Sequence, residues 1–314
     1  MNRVVKLITF NCAKNAVNRV GMMVNEKKVL DLTKAGKFHP SLAKQGTDML
    51  GLIENNGDET VDILKKLLDK GIEDADLEDF SQLNLKAPIP LPRRNVLCVG
   101  KNYLDHVAEV AAVHAKGSNG PATPLELPKY AQFFTKAPQT VVASGDNVEC
   151  HAAVTRVLDY EVELAVVIGK KGRDISKEDA QKYIFGYTVA NDITARDVQK
   201  RHNQWFKGKS LDTTCPLGPC IVPASQLDAS NLAIKMWING EKRQDSRTNN
   251  MIFSVGSIIE QLSRGFTLYP GDVILTGTPH GVGFAMQPPQ VLKPGDLMEA
   301  EIEGIGRLTN KVID

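Results

Sequence analysis

Tyr160-Glu-Val-Glu-Leu-Ala-Val-Val-Ile168 is apolar on both faces of an extended chain except at two points. Alternate residues of a strand share a face, so Glu161 and Glu163 point the same way, about 7 Å apart along it. Leu164, Ala165, Val166 and Val167 leave no polar face, which predicts a strand buried on both sides. Two carboxylates converging in such a place are costly unless a cation neutralises them. An ordinary solvated stripe looks different in this chain. In Met298-Glu-Ala-Glu-Ile-Glu303 acids alternate strictly with apolar residues, as on a half-exposed strand. Residues 161 and 163 therefore read either as a metal site or as an ion-paired or solvated edge. Oxygen-only ligands favour Mg²⁺, Mn²⁺ or Ca²⁺ over zinc.

Further chemistry lies on either side. Asp192 stands near the end of the expected strand Thr188–Ile193 and is a possible third acid, although a lone Asp at a strand end more often caps a turn or helix. Before the central strand, Val96–Val99 reads as a short buried strand and Gly100 as a turn into a helix carrying Tyr103, His106 and Glu109. Residues three apart share a helix face, so Glu109 is placed to orient the His106 imidazole as a general base. A surface ion pair is the plainer alternative. Gly208-Lys209-Ser210 resembles the end of a phosphate loop, but Asn203 stands where the first glycine is required. Thr276-Gly-Thr-Pro-His-Gly-Val-Gly283 lacks dinucleotide-loop spacing. It reads as a tight inter-strand loop or as amides approaching an anionic substrate.

The chain has 314 residues, with 38 basic and 37 acidic side chains. That balance leaves no electrostatic footprint for nucleic acid or an anionic membrane surface. No apolar run approaches the roughly 18 residues of a membrane helix. Five cysteines, Cys12, Cys98, Cys150, Cys215 and Cys220, contain no Cys-x-x-Cys pair, which argues against a disulfide scaffold or zinc site. The N-terminus lacks a signal-peptide core but carries Arg3, Lys6, Lys14 and Arg19 before its first acid. Cytoplasm is expected, with the mitochondrial matrix as alternative. Ala87-Pro-Ile-Pro-Leu-Pro92 forbids helix and interior strand. It suggests a small α+β unit over residues 1–87, a proline linker over 88–94 and a catalytic domain over 95–314. In the first unit, Val4–Phe10 and Gly21–Val29 read as strands, and Val61, Leu64, Leu67 and Leu68 recur at helical spacing.

Taken together, five segments resemble the fumarylacetoacetate hydrolase superfamily. They are Gly100-Lys-Asn-Tyr-Leu-Asp-His-Val-Ala-Glu109, Asp159-Tyr-Glu-Val-Glu-Leu164, Asn191-Asp-Ile-Thr-Ala-Arg-Asp197, Lys209-Ser-Leu-Asp-Thr-Thr-Cys-Pro-Leu-Gly218 and Pro270-Gly-Asp-Val-Ile-Leu-Thr-Gly-Thr-Pro-His-Gly-Val-Gly283. Within it, the chain is similar to the fumarylacetoacetate hydrolase domain-containing protein 2 subgroup. The resemblance implies an α+β fold, a mixed β-sandwich roll with a small N-terminal domain, in a homodimer with one divalent ion per subunit, commonly Mg²⁺. It implies Glu161, Glu163 and Asp192 as metal ligands, and His106, Glu109 and Lys209 as the catalytic set. Tyr103, Arg196, Gln199 and Thr278 become candidate substrate contacts. Ala111–Pro128 is longer than the family segment and is expected to act as a lid. The chemistry implied is that of short 2-oxo acids passing through an enolate. Acylpyruvate-type C–C hydrolysis ranks first and oxaloacetate tautomerisation or decarboxylation second. A catalytically silent metal-bound binding protein is the competitor from another class.

Overall fold

The computed structural model describes residues 4–12, 15–55, 57–116 and 127–314. The N-terminal part supplies β1 (Leu7–Cys12), β2 (Asn15–Met23), β3 (Lys28–Asp31) and α1 (Gly57–Lys70). The expected strand over Gly21–Val29 is instead the two arms of a hairpin. Asn25 Oδ1 accepts from the amides of Lys27 (2.9 Å) and Lys28 (3.0 Å), so the side chain closes the turn. Helix α1 forms where the spacing predicted it, burying Val61, Leu64 and Leu68.

The rest of the chain gives β4 (Val96–Gly100), α2 (Leu104–Lys116), β5 (Gln132–Lys136), β6 (Val162–Ile168) and β7 (Ile184–Asn191). The short helices α3 (Arg196–Arg201) and α4 (Phe206–Lys209) follow, then β8 (Cys215–Pro223), β9 (Ala233–Ile238), β10 (Glu241–Arg247), β11 (Val273–Leu275), β12 (Leu297–Ile302) and β13 (Gly306–Ile313). One large mixed sheet runs β3-β2-β1-β8-β7-β6-β11-β4-β5 with short strands at its margins. A second runs β10-β9-β12-β13 and ends on Asn147–Glu149. The two stack as a sandwich: Val162, Leu164, Val166 and Ile168 of β6 join one core with Ile234, Met236, Ala300 and Ile302 of the smaller sheet. Ala165 and Val167, on the opposite face, join a second core with Leu7, Val20, Leu64 and Leu68. Strand β6 is buried at every residue, as its composition required.

The proline segment is not a free tether. Ala87 and Ile89 are buried, and the Pro88 carbonyl accepts from Thr9 Oγ1 at 2.6 Å. Ser176 and Asp179 form a side-chain-closed turn, and the single 3₁₀ turn Ala180–Tyr183 leads from it into β7.

Candidate metal centre and active site

Antiparallel pairing brings the acids together. Val162 of β6 lies opposite Asn191 of β7, so Glu161 and Asp192 are the next pair, with Asp192 N–H donating to the Glu161 carbonyl at 2.8 Å. Strand β11 pairs with β6 on its other edge and delivers Thr276-Gly277-Thr278 to the same end, where the Gly277 amide donates to Glu163 Oε2. Glu161, Glu163 and Asp192 each offer an oxygen within 4.8 Å of the others, and all three are buried.

Their charges are answered unequally. Lys209 Nζ bridges Glu161 Oε2 (2.6 Å) and Asp192 Oδ2 (2.7 Å), and Arg196 Nη2 lies 2.7 Å from Glu161 Oε1. Lys136, wholly buried at the end of β5, reaches Asp192 Oδ1 at 2.8 Å, yet that oxygen receives no well-directed hydrogen bond. Among the described residues, Glu163 has no lysine or arginine partner. Burial opposes ionisation of Glu161, but Arg196 and Lys209 overcome it and hold this carboxyl below the usual range. Burial, with Asp192 and Glu161 nearby, pushes the Glu163 carboxyl well above it. Burial also opposes charging of Lys209, yet Asp192 and Glu161 keep its ammonium above the ordinary lysine range. Counting Asp159, which pairs with Arg196 at 2.9 Å, four buried carboxylates face three cations. An all-oxygen set with one uncompensated acid and an under-bonded Asp192 oxygen fits a hard divalent ion.

The other expected residues gather around one cavity of about 480 Å³, lined by His106, Arg196, Gln199, Lys209 and Thr278 as well as Glu161 and Glu163. His106 Nδ1 is 3.4 Å from Glu109 Oε2, and Glu109 Oε1 accepts from the Gly281 amide at 3.0 Å. The glutamate thereby ties α2 to the glycine-rich loop. Thr278 Oγ1 accepts from Gln244 Nε2 at 2.8 Å. Tyr103 departs from expectation. It precedes α2 and pairs across an isolated bridge with Met251; it is fully buried and off the cavity wall. Of the expected lid, Ala111–Lys116 continue α2, and residues 117–126 lie outside the described residues.

Five contributors escaped the sequence reading. Lys136 also donates to the Ile193 carbonyl at 3.0 Å and to that of Lys209, pinning the ends of β7 and α4. Asp159, fully buried, accepts from the amides of Gly283 (2.8 Å) and Phe284 (3.3 Å) and from Arg196 Nε (3.0 Å). Burial raises its carboxyl, which Arg196 only partly offsets. Phe284 stacks against the Arg196 guanidinium, 4.5 Å from ring centre to carbon, while Phe134 meets Trp205 edge-on. The acid pair opening Asp159-Tyr-Glu161 was the one available signal, since an Asp beside a buried strand needs donors.

With that geometry in place, the family pattern described as fumarylacetoacetate (FAA) hydrolase C-terminal matches residues 95–313. The oxaloacetate tautomerase YisK of Bacillus subtilis is 45% identical over 301 residues, covering 93% of this chain and 95% of its own. A solved fumarylacetoacetate hydrolase from Exiguobacterium antarcticum superposes with a TM-score of 0.78 at 38% identity, covering 98% of this chain and 99% of that one. A fumarylpyruvate hydrolase from Pseudomonas aeruginosa, solved with Mn²⁺ and pyruvate, gives 0.60 at 36% identity, covering 71% and 91%.

Proposed function

The chain belongs to the fumarylacetoacetate hydrolase family, and from that premise we propose that it is a divalent-metal-dependent keto–enol tautomerase of oxaloacetate. The observation that carries this reading is the buried triad Glu161, Glu163 and Asp192, of which Glu161 and Glu163 line the same cavity as His106. The choice of oxaloacetate follows the tautomerase that matches along almost the whole chain. It displaces acylpyruvate hydrolysis from first place.

A Mg²⁺ ion, or Mn²⁺ or Ca²⁺ in its stead, held by the three carboxylates would supply Lewis-acid polarisation of a 2-oxo oxygen. The protein's own groups do the rest. His106, oriented by Glu109, takes a proton from C3 as the C3–H bond breaks and the C2–C3 double bond forms. As the carbonyl π bond opens, the 2-oxygen takes a proton from solvent water, to which His106 returns the one it removed from C3; this completes the enol, and the same groups run the reaction backwards. Glu109 stays put because the Gly281 amide holds its other oxygen. Lys209, kept charged between Glu161 and Asp192, adds positive potential where negative charge develops on the oxygen. Arg196, clamped by Asp159 and Phe284, offers a preformed partner for the 1-carboxylate, with Gln199 and Thr278 beside it.

Hydrolysis of a C–C bond is the second reading, favoured by the likeness to the fumarylpyruvate hydrolase. Decay of enol-oxaloacetate absorbance with Mg²⁺ or Mn²⁺, run beside pyruvate release from acetylpyruvate and fumarylpyruvate, tests both. Faster ketonisation without pyruvate release is the expected result. Pyruvate release with no effect on oxaloacetate would replace tautomerisation by hydrolysis.

A further inference from the structure

Strand β10, Glu241-Lys-Arg-Gln-Asp-Ser-Arg247, has no apolar side chain, yet its middle residue, Gln244, is fully buried. A buried amide is costly unless its polar atoms are answered. Gln244 Nε2 donates to the Pro279 carbonyl and to Thr278 Oγ1, each at 2.8 Å. Its Oε1 accepts from the Val162 amide, between the two glutamates of the triad, at 3.0 Å. The two backbone partners fix which end of the side chain is which. The Val162 amide can only donate and the Pro279 carbonyl can only accept. Toward Thr278 the glutamine therefore presents an N–H, and the threonine oxygen must accept.

A hydroxyl has one proton to give. With the Thr278 oxygen held as acceptor, that proton has no acceptor among the described residues. The side chain is nevertheless buried, on the wall of the cavity shared by His106, Glu161 and Glu163. Gln244 itself stands behind that wall. The loop around the threonine is fixed as well. Tyr160 Oη donates to the Gly281 carbonyl at 3.0 Å. Gly281, with φ at +99°, passes so close to β10 that a Cβ there would lie 2.0 Å from the Arg243 carbonyl oxygen.

We propose that Gln244 is a positioning residue: from behind the cavity it fixes the Thr278 hydroxyl as a donor for a carboxylate oxygen of the bound 2-oxo acid. This rests on the proposed function in placing a 2-oxo acid in the cavity. It adds a polarity. A freely turning hydroxyl serves donors and acceptors alike, whereas one held from behind by an N–H selects an acceptor.

The test uses the Mn²⁺-loaded full chain and oxalate, whose affinity is read by water-proton relaxation. Thr278→Val keeps the shape and removes the hydroxyl. It should weaken oxalate roughly 10–100-fold, the value of one hydrogen bond to a charged group. Thr278→Ser should retain the affinity. Gln244→Met removes the N–H and should also weaken oxalate, without lowering Mn²⁺ affinity. Gln244→Glu keeps an acceptor for Val162 but turns an oxygen toward Thr278, and it repeats the test should the methionine variant be unstable. Each Gln244 substitution should cost much less in a Thr278→Val background, because the amide acts through the hydroxyl. Charge repulsion or general loosening is common to both backgrounds and cancels in that comparison. Losses that simply add, unchanged oxalate binding in Thr278→Val, or a matching fall in Mn²⁺ affinity would overturn the assignment and leave the tautomerase reading standing. Coupled losses in a protein that never interconverts oxaloacetate would sink the tautomerase reading while Gln244 keeps its role.

Discussion

Glu163 and His106 carry separable duties, and substitutions should separate them. His106 is not among the three oxygen ligands, so His106→Ala should leave Mn²⁺ affinity intact while kcat falls by roughly 10²–10⁴-fold, the usual share of general acid–base catalysis. Glu109→Gln keeps the size but loses the charge that steadies the imidazolium, and a smaller loss of kcat is expected. Glu163→Ala should instead weaken Mn²⁺ binding and abolish metal-dependent turnover together, as calorimetric titration and rate measurements on the same samples would show. Full activity of His106→Ala with an unchanged pH profile would reduce the dyad to an ion pair. The two glutamates were legible because a two-residue period in an otherwise apolar strand is a rare pattern. Lys136 was not. In Gln132-Phe-Phe-Thr-Lys136 a terminal lysine looks like the solvent-facing guard of an edge strand, and only the fold buries it against Asp192. Tyr103 shows the reverse: a tyrosine three residues past Gly100 reads as helical, but the turn at Lys101, with φ at +56°, and the buried, hydrogen-bonded Asn102 delay the helix to Leu104.

Register is what assembles the triad from separate strands. A slip of one residue between β6 and β7 would move Asp192 away from Glu161 and turn alternate side chains to the wrong face. The turn after β11 is equally constrained, since Gly277 has φ at +98°, donates to Glu163 and touches Asn102. Gly277→Ala is therefore expected to cost about 1–3 kcal/mol in thermal or urea unfolding and to weaken Mn²⁺ binding as well. Wild-type stability with unchanged affinity would show that the turn has slack. Pro270-Gly-Asp272 and Pro294-Gly-Asp296 form turns that launch strands at Val273 and Leu297. The hairpin inside Gly21–Val29 was hidden because Met22, Met23 and Val24 continue the apolar run almost to Asn25.

The large sheet is continuous from the N-terminal strands to β5, through the pairing of Leu7 in β1 with Ile221 in β8. The triad sits at the shared end of its central strands, so the ion and the fold should be linked. A ligand present at a hundredfold excess over its Kd adds about 2.7 kcal/mol to the folded state. Chelation should accordingly lower Tm. The metal-free protein should also have its own pH dependence. With the Glu163 carboxyl raised, the folded chain holds a proton there that the unfolded chain has already released above its ordinary value of 4.5. Stability of the metal-free protein should therefore fall as pH rises above about 4.5 toward the raised value, because the folded state binds more protons across that window. Glu163→Gln should flatten this slope, and saturating Mn²⁺ should do the same by drawing off the proton; a slope unchanged by either would assign it to another group. Most direct for the account as a whole is the decay of enol-oxaloacetate absorbance with Mn²⁺-loaded wild type and His106→Ala at matched metal occupancy. Ketonisation by the wild type should run well above the rate with free Mn²⁺, with a loss of roughly 10²–10⁴-fold in the variant. No acceleration by the wild type, or equal rates for the two proteins, would contradict it.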